Sequence, residues 1–128
     1  MNTLPPAIVL IENDEITLEL YQREVRKSFV VFAFTDLKGA MEEIANRDIR
    51  AVVIEPEVNA TKGWELIHSI YTNYPERSIA VIVCSTRDSS RGSYLAVTKY
   101  LTKPVLPKTL REKTLEIIHE KDKLKSNP

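Results

Sequence analysis

The sequence predicts an α/β fold with one doubly wound, five-stranded parallel sheet and helices on both faces. Five short apolar runs alternate with segments whose apolar residues recur at helical spacing, and this alternation is typical of a parallel sheet. The central run, Ala51 to Ile54, contains only small and β-branched residues, as in a strand that is buried on both faces. Glu55 and Pro56 end this run, because proline cannot continue a central strand.

The elements are expected in alternating order, each strand followed by a helix. The strands are predicted over residues 7–11, 29–34, 51–54, 79–84 and 99–102. Helices are predicted over residues 15–27, 37–45 and 64–74, with a short or irregular helix over 87–97 and a last helix that begins at Pro107. Because crossovers between parallel strands are right-handed, the economical sheet has the flavodoxin-like order 2-1-3-4-5. We expect a single domain over residues 1–128, with a core over about 7–120 and a polar tail over 121–128 that frays.

The composition excludes several classes of function. The chain has 18 basic and 18 acidic residues, so no net field attracts it to nucleic acid or to an anionic membrane. No apolar run approaches the roughly 20 residues of a membrane span, and the N-terminal residues lack the pattern of a signal peptide, so we expect a cytoplasmic protein. The single Cys84 lies in an apolar run and is expected to be buried and inert.

Polar side chains follow four of the five predicted strands. Glu12 and Asn13 follow the first strand, Glu55 the third, Ser85 the fourth and Lys103 the fifth. The carboxyl ends of parallel strands share one edge of the sheet, which is where ligands bind in open α/β folds. We therefore expect these side chains, which are far apart in sequence, to meet in one shallow cleft.

With these residues in these places, the chain resembles the receiver domain of two-component response regulators over residues 7–120. The resemblance implies a phosphorelay role, in which an Asp after strand 3 takes a phosphoryl group from a histidine kinase and binds Mg²⁺ together with two acids after strand 1. It also implies a Ser or Thr and a Lys-Pro pair that contact the phosphoryl group, a glycine after the phosphorylation loop, and an aromatic switch residue that turns inward on activation. The matching positions are Glu55 for the phosphoacceptor, Glu12 and Asn13 for the acidic pair, Ser85, Lys103 and Pro104 for the phosphate contacts, Gly63 for the glycine and Tyr100 for the switch.

Two departures from the family's pattern bear on metal binding. Glu stands at the phosphoacceptor position 55, and the acidic pair is Glu-Asn, so the pocket has one carboxylate fewer than the family's usual set. Mg²⁺ prefers hard oxygen ligands in near-octahedral geometry, and Glu12, Asn13 and Glu55 form a poor set for it. Asp14 lies in the same acidic loop, but Asp is a favoured N-cap and we expect it to cap the first helix. We expect no cofactor, and weak or absent Mg²⁺ binding.

The longer side chain of Glu55 suggests a different use of the pocket. Glu is one methylene longer than Asp, so its carboxylate reaches towards the place where an aspartyl phosphate would sit. A permanent ion pair with Lys103, with a second hydrogen bond from Ser85, is then expected. Such a pair imitates a phosphorylated receiver incompletely, because a phosphate has more charge and more acceptor oxygens than a carboxylate.

The sequence leaves three functions open. The first, which we favour, is an atypical (pseudo-)receiver that is not an enzyme and that contacts a signalling partner, a histidine kinase or a downstream effector. The contact would use the face of the fourth helix, fifth strand and fifth helix, and a homodimer is a further option. The second is a working Mg²⁺-dependent phosphoacceptor. The third is a flavodoxin-like binder of a nucleotide or flavin, which lacks support because no Gly-rich phosphate loop exists among three glycines.

Overall fold

A computed structural model of the chain describes residues 4–57, 62–86 and 96–126, without the side chain of Ser126. Its strands form one parallel sheet with the order β2-β1-β3-β4-β5, which confirms the predicted fold class and strand order. The strands are β1 (Ala7–Ile11), β2 (Val30–Phe34), β3 (Ile49–Ile54), β4 (Ala80–Ser85) and β5 (Lys99–Thr102).

Helices cover both faces of the sheet. The described helices are α1 (Glu15–Val25), α2 (Lys38–Asn46), α3 (Lys62–Asn73), a 3₁₀ turn (Pro75–Arg77) and α4 (Pro107–Ser126). The short helix predicted over residues 87–97 falls almost wholly on residues 87–95, which lie outside the described residues. Within residues 4–57, 62–86 and 96–126, no helix has the length and apolar character that a membrane crossing requires.

Two apolar layers hold the sheet between the helices. On one face, α2 and α3 pack against alternate residues of β1, β3 and β4, among them Val9, Val52 and Val81. On the other face, α1 and α4 pack against the residues in between, such as Ile8 and Ile82. The alternation of side chains along each strand thus divides the core into two layers.

The helix ends follow the local sequence, with one exception. Asp14 is the N-cap of α1 and accepts a hydrogen bond from the Thr17 N–H at 3.1 Å, as predicted, and α4 begins at Pro107. The exception is α2, for which the sequence favours Asp36 as the cap but whose N-cap is Leu37. Asp36 instead accepts a hydrogen bond from the Lys38 N–H at 3.2 Å, one position before the cap.

The inner face of α1 is smaller than its apolar spacing predicts. Tyr21 and Val25 are buried, whereas Ile16 is 74% exposed and Leu20 is 49% exposed. The contacts of α1 with α4 and with the sheet therefore cover the C-terminal half of α1 and leave its first turn open to solvent.

The last helix continues through most of the stretch predicted as a frayed tail. It extends to Ser126, and Asp122 forms an ion pair with Arg50 at the start of β3. The spacing predicts an inner face of Leu110, Thr114, Ile117 and Ile118. Leu110, Thr114 and Ile118 are buried, and Ile117 is half-buried.

Candidate functional site

Three of the predicted site residues follow the strands in positions fixed by the backbone. The Glu12 N–H donates to the carbonyl of Phe34 at 3.1 Å, and the Glu55 N–H donates to the carbonyl of Ile11 at 2.9 Å. The Lys103 N–H donates to the carbonyl of Ser85 at 2.8 Å. Each residue therefore extends the hydrogen bonding of its strand by one step, which holds all three at one edge of the sheet.

The side chain of Lys103 joins the two carboxylates. Its Nζ lies 2.5 Å from Glu12 Oε1 and 3.3 Å from Glu55 Oε1. The side chains of Glu12, Glu55 and Lys103 are 3%, 7% and 14% exposed, so water screens these charges little. The predicted contact between Glu55 and Lys103 is present, and Glu12 is the closer partner.

The second oxygen of each carboxylate accepts a hydrogen bond from the backbone of its own loop. Glu12 Oε2 accepts from the Asp14 N–H at 3.1 Å, and Glu55 Oε2 accepts from the Glu57 N–H at 3.2 Å. These bonds fix the orientation of both carboxylates. Among the described residues, no buried side-chain nitrogen or oxygen lacks a hydrogen-bond partner.

The surroundings of Lys103 stabilise its charged form. Burial disfavours the ammonium form, but the hydrogen bond to Glu12 and the charges of Glu12 and Glu55 outweigh it and raise the pKa of Lys103. The amine is therefore charged at neutral pH. Removal of one member of this buried ion cluster is expected to cost much folding free energy, because the remaining charges lose their partner.

The other predicted site residues lie around this ion cluster. Ser85 is 3% exposed at the end of β4. Pro104 follows Lys103 through a cis peptide bond. Tyr100 is half-buried on β5 and packs against the apolar layer of α2 and α3. Their assigned roles stay predictions.

Asn13 and Asp14 do not join Glu12 and Glu55 at the ion cluster. Asn13 is exposed. Asp14 is exposed as well, and its carboxylate caps α1 by accepting bonds from the N–H and hydroxyl groups of Thr17. These two bonds lower the pKa of Asp14. Asp14 therefore serves the helix, as the sequence predicts.

The donor set suits Mg²⁺ poorly. In the described ranges 4–57, 62–86 and 96–126, no three His, Cys, Asp or Glu side chains lie close enough together to hold a metal ion. The two carboxylates that do converge share the ammonium of Lys103, and their other oxygens are engaged by backbone N–H groups. A divalent ion at this place would have to displace the ammonium group.

Gly63 allows the loop after β3 to lie against α3. A Cβ at position 63 would be 2.3 Å from the carbonyl oxygen of Pro56 and 2.6 Å from its Cα. Only glycine fits this approach of two backbone segments. The glycine that matches the family's pattern therefore sets the position of the segment that carries Glu55.

A buried pair that the sequence does not predict is formed by Tyr21 and Cys84. The Tyr21 hydroxyl donates to the carbonyl of Val105 at 3.2 Å and lies 3.8 Å from Cys84 Sγ. Burial raises the pKa of the Tyr21 hydroxyl. Tyr21 thus ties α1 to the loop after β5. Its spacing in α1 indicated a core residue, but nothing in the sequence marked the partner of its hydroxyl.

Cys84 is expected to be unreactive in the folded protein. The thiol is free and 2% exposed, and burial raises its pKa although Tyr21 and Lys103 act against this. Since the thiolate is the reactive form and access requires local opening, we expect its reaction with a disulfide reagent to be at least about 100-fold slower in buffer than in concentrated urea. Absorbance of the released thiol measures the rate. Fast reaction in buffer would contradict the burial, and Cys84→Ser supplies the blank.

No protein-family model and no curated protein matches the sequence. Solved structures do match its fold. A response regulator from Thermotoga maritima has a TM-score of 0.77 at 21% identity, covering 91% of this chain and 99% of its own. A CheY-like response regulator receiver domain protein from Methanospirillum hungatei JF-1 has a TM-score of 0.83 at 19% identity, covering 94% of this chain and 98% of its own.

A third structure extends the match over the whole chain. It is the signal receiver domain of an HD domain-containing protein from Pseudomonas fluorescens Pf-5, with a TM-score of 0.84 at 18% identity. The match covers 100% of this chain and 97% of the other. The fold of the chain is therefore that of response-regulator receiver domains.

Proposed function

We propose that this chain, which has the receiver fold, is an atypical receiver domain that acts in phosphorelay signal transduction in the cytoplasm by contact with other proteins. Glu55 takes the place of the phosphoacceptor and supplies a constant negative charge. The domain has no enzymatic activity of its own in this proposal. Its partners are a histidine kinase or a downstream effector.

The observation that carries the proposal is the contact of Glu55 with Lys103. The carboxylate stands 3.3 Å from the ammonium group at the strand ends, where the family resemblance implies that a lysine contacts a phosphoryl group. The carboxylate is 7% exposed, so this charge pair is a permanent part of the fold. A kinase is not needed to form it.

The hydrogen bonds of Glu55 also argue against its use as a phosphoacceptor. One carboxylate oxygen is engaged by Lys103 and the other by the N–H of Glu57. Phosphoryl transfer requires an attacking oxygen with a lone pair in line with the donor, and small misplacements lower the rate strongly. The same bonds that stabilise Glu55 as a fixed charge therefore hinder it as a nucleophile.

The surface of β5 and α4 is the proposed contact region for a partner. β5 is an edge strand of the sheet. An open cleft of about 330 Å³ lies between β5 and α4, and its lining combines charges of both signs with an exposed Leu124. Tyr100 lies on the same strand, with its side chain on the opposite face of the sheet, and in this proposal β5 links the strand ends to the contact surface. A homodimer through this face is one form that the contact can take.

Exposure to a phosphoryl donor tests the proposal directly. We expect the intact mass of the wild-type protein to stay unchanged after incubation with acetyl phosphate and Mg²⁺, because both oxygens of Glu55 are engaged. A mass gain of one phosphoryl group in the wild type, absent from Glu55→Gln, would overturn the proposal in favour of a working phosphoacceptor.

A double variant serves as the positive control. Glu55→Asp with Asn13→Asp gives the pocket the acids of the family's pattern. We expect this protein to bind Mg²⁺ and to gain phosphoryl mass, because the shorter Asp side chain weakens the contact with Lys103 and the added acid attracts the ion in spite of the lysine. The gain shows that the donor and the conditions are adequate. If the double variant still does not bind Mg²⁺, the assignment of positions 12, 13 and 55 to one acidic pocket is wrong.

A further inference from the structure

We propose that the ammonium group of Lys103 is the built-in cation of this pocket and takes the place of a divalent ion between Glu12 and Glu55. The inference rests on the proposed function, since it concerns the same strand-end pocket. It goes further in assigning the cation site to a residue of the chain itself and in making Glu12 the closer partner of that residue.

The inventory of carboxylate oxygens is the first support. The two carboxylates have four oxygens, and each accepts a hydrogen bond from a group of this chain. The Oε1 atoms face Lys103 Nζ at 2.5 and 3.3 Å, and the Oε2 atoms accept from backbone N–H groups at 3.1 and 3.2 Å. A metal ion would therefore have to share each ligand oxygen with a group of the chain that already donates to it.

The charges of the pocket are the second support. Two carboxylates and one ammonium leave a single negative charge, which the donated N–H groups of Asp14 and Glu57 help to stabilise. A divalent ion would have to approach Lys103 within a few ångströms at a site that is largely closed to water, where repulsion between like charges is strong. The two cations therefore compete for one place.

The neutral Asn13 is consistent with a monovalent cation. One ammonium group already leaves a single negative charge in the pocket, and a third acid at position 13 would increase it further. With Asn13 exposed and Asp14 engaged as the cap of α1, the pocket holds two acids for one lysine. The pocket therefore lacks the third acid that the family's pattern provides for a divalent ion, and Lys103 supplies the only cation that contacts both carboxylates among the described residues.

Removal of the lysine charge is expected to create a divalent-ion site. Mn²⁺ is the probe, and the paramagnetic resonance signal of the free ion reports binding. We expect Lys103→Met to bind Mn²⁺ at least about tenfold more tightly than the wild type, because the repelling charge is gone, and Lys103→Met/Glu12→Gln to lose this gain. Lys108→Met, which removes an exposed lysine from the start of α4, is the matched control and should bind as the wild type does.

Wild type and Lys103→Met that bind Mn²⁺ equally well, with both folded by circular dichroism, would overturn the inference. A measurement on the wild type keeps the test open if Lys103→Met does not fold. The ¹⁵N–¹H signal of the Lys103 ammonium group, assigned by its absence from Lys103→Arg, should be visible because the group is held in hydrogen bonds. It should not shift as Mg²⁺ is added, and a saturable shift would contradict the inference.

Failure of the inference can be distinguished from failure of the proposed function. Tight Mn²⁺ binding by the wild type without phosphoryl mass gain would leave the atypical receiver in place and remove the built-in cation. Phosphoryl mass gain without ion binding to the resting protein would overturn the atypical receiver and leave the built-in cation in place.

Discussion

Lys103→Met is expected to lower the free energy of unfolding by about 3–5 kcal/mol, the largest loss among the changes considered. The variant leaves Glu12 and Glu55 facing the same space without a cation, and breaking a buried ion pair from one side costs this much. The expected loss is large beside the roughly 5–15 kcal/mol that stabilises an ordinary domain. Urea unfolding at neutral pH, followed by circular dichroism, measures the change.

The control for this prediction is another lysine near the same loop. Lys108 is exposed, so Lys108→Met should change the free energy of unfolding by less than about 0.5 kcal/mol. Glu12→Gln should cost more than Glu55→Gln, because Glu12 is the closer and less exposed partner of Lys103. If the unfolding midpoints of the two lysine variants coincide, the ion cluster contributes nothing to stability.

Gly63→Ala is expected to destabilise the protein by about 1–3 kcal/mol, the range for an added methyl group that must displace its neighbours. The new Cβ would be 2.3 Å from the carbonyl oxygen of Pro56. Because the obstructing atoms belong to the backbone, relief requires the loop after Glu55 to move. Urea unfolding measures the loss.

Gly39→Ala offers a matched control. Gly39 is the second residue of α2, as Gly63 is the second residue of α3. A Cβ at Gly39 would meet the ring of Phe34 at 2.6 Å, and a ring edge can rotate away where a backbone carbonyl cannot. We expect Gly39→Ala to be nearly neutral, since the gain in helix propensity offsets the adjustment. Equal effects of the two substitutions would show that the approach of Pro56 is not restrictive.

The strand ends were predictable because the constraint is simple. Five parallel strands place their carboxyl ends at one edge, so Glu12, Glu55 and Lys103 could be assigned to one cleft from their order alone. The closer contact of Lys103 with Glu12 than with Glu55 could not be predicted from the sequence. It depends on the paths of two loops that direct the second oxygen of each carboxylate to the N–H two residues on.

The helix faces show where periodicity is insufficient. Ile16 and Leu20 have the spacing of an inner face, but the neighbours of α1 cover only its second half, so both side chains stay exposed. The polar residues after position 120 correctly indicate exposure. These residues nevertheless include good helix formers, so the helix continues. The ion pair of Asp122 with Arg50 joins residues that are 72 positions apart, and no local sequence pattern reveals such a contact.

Because α4 is long, a small tilt at its first turn displaces its last turn appreciably. Its 20 residues correspond to about 30 Å, from Pro107 beside the ion cluster to the strand beginnings at Arg50. A tilt of about 5° at the first turn would displace the last turn by roughly 2.5 Å over that length. The half-exposed salt bridge between Arg50 and Asp122 joins this end of α4 to β3 and opposes such a tilt by at most about 1 kcal/mol.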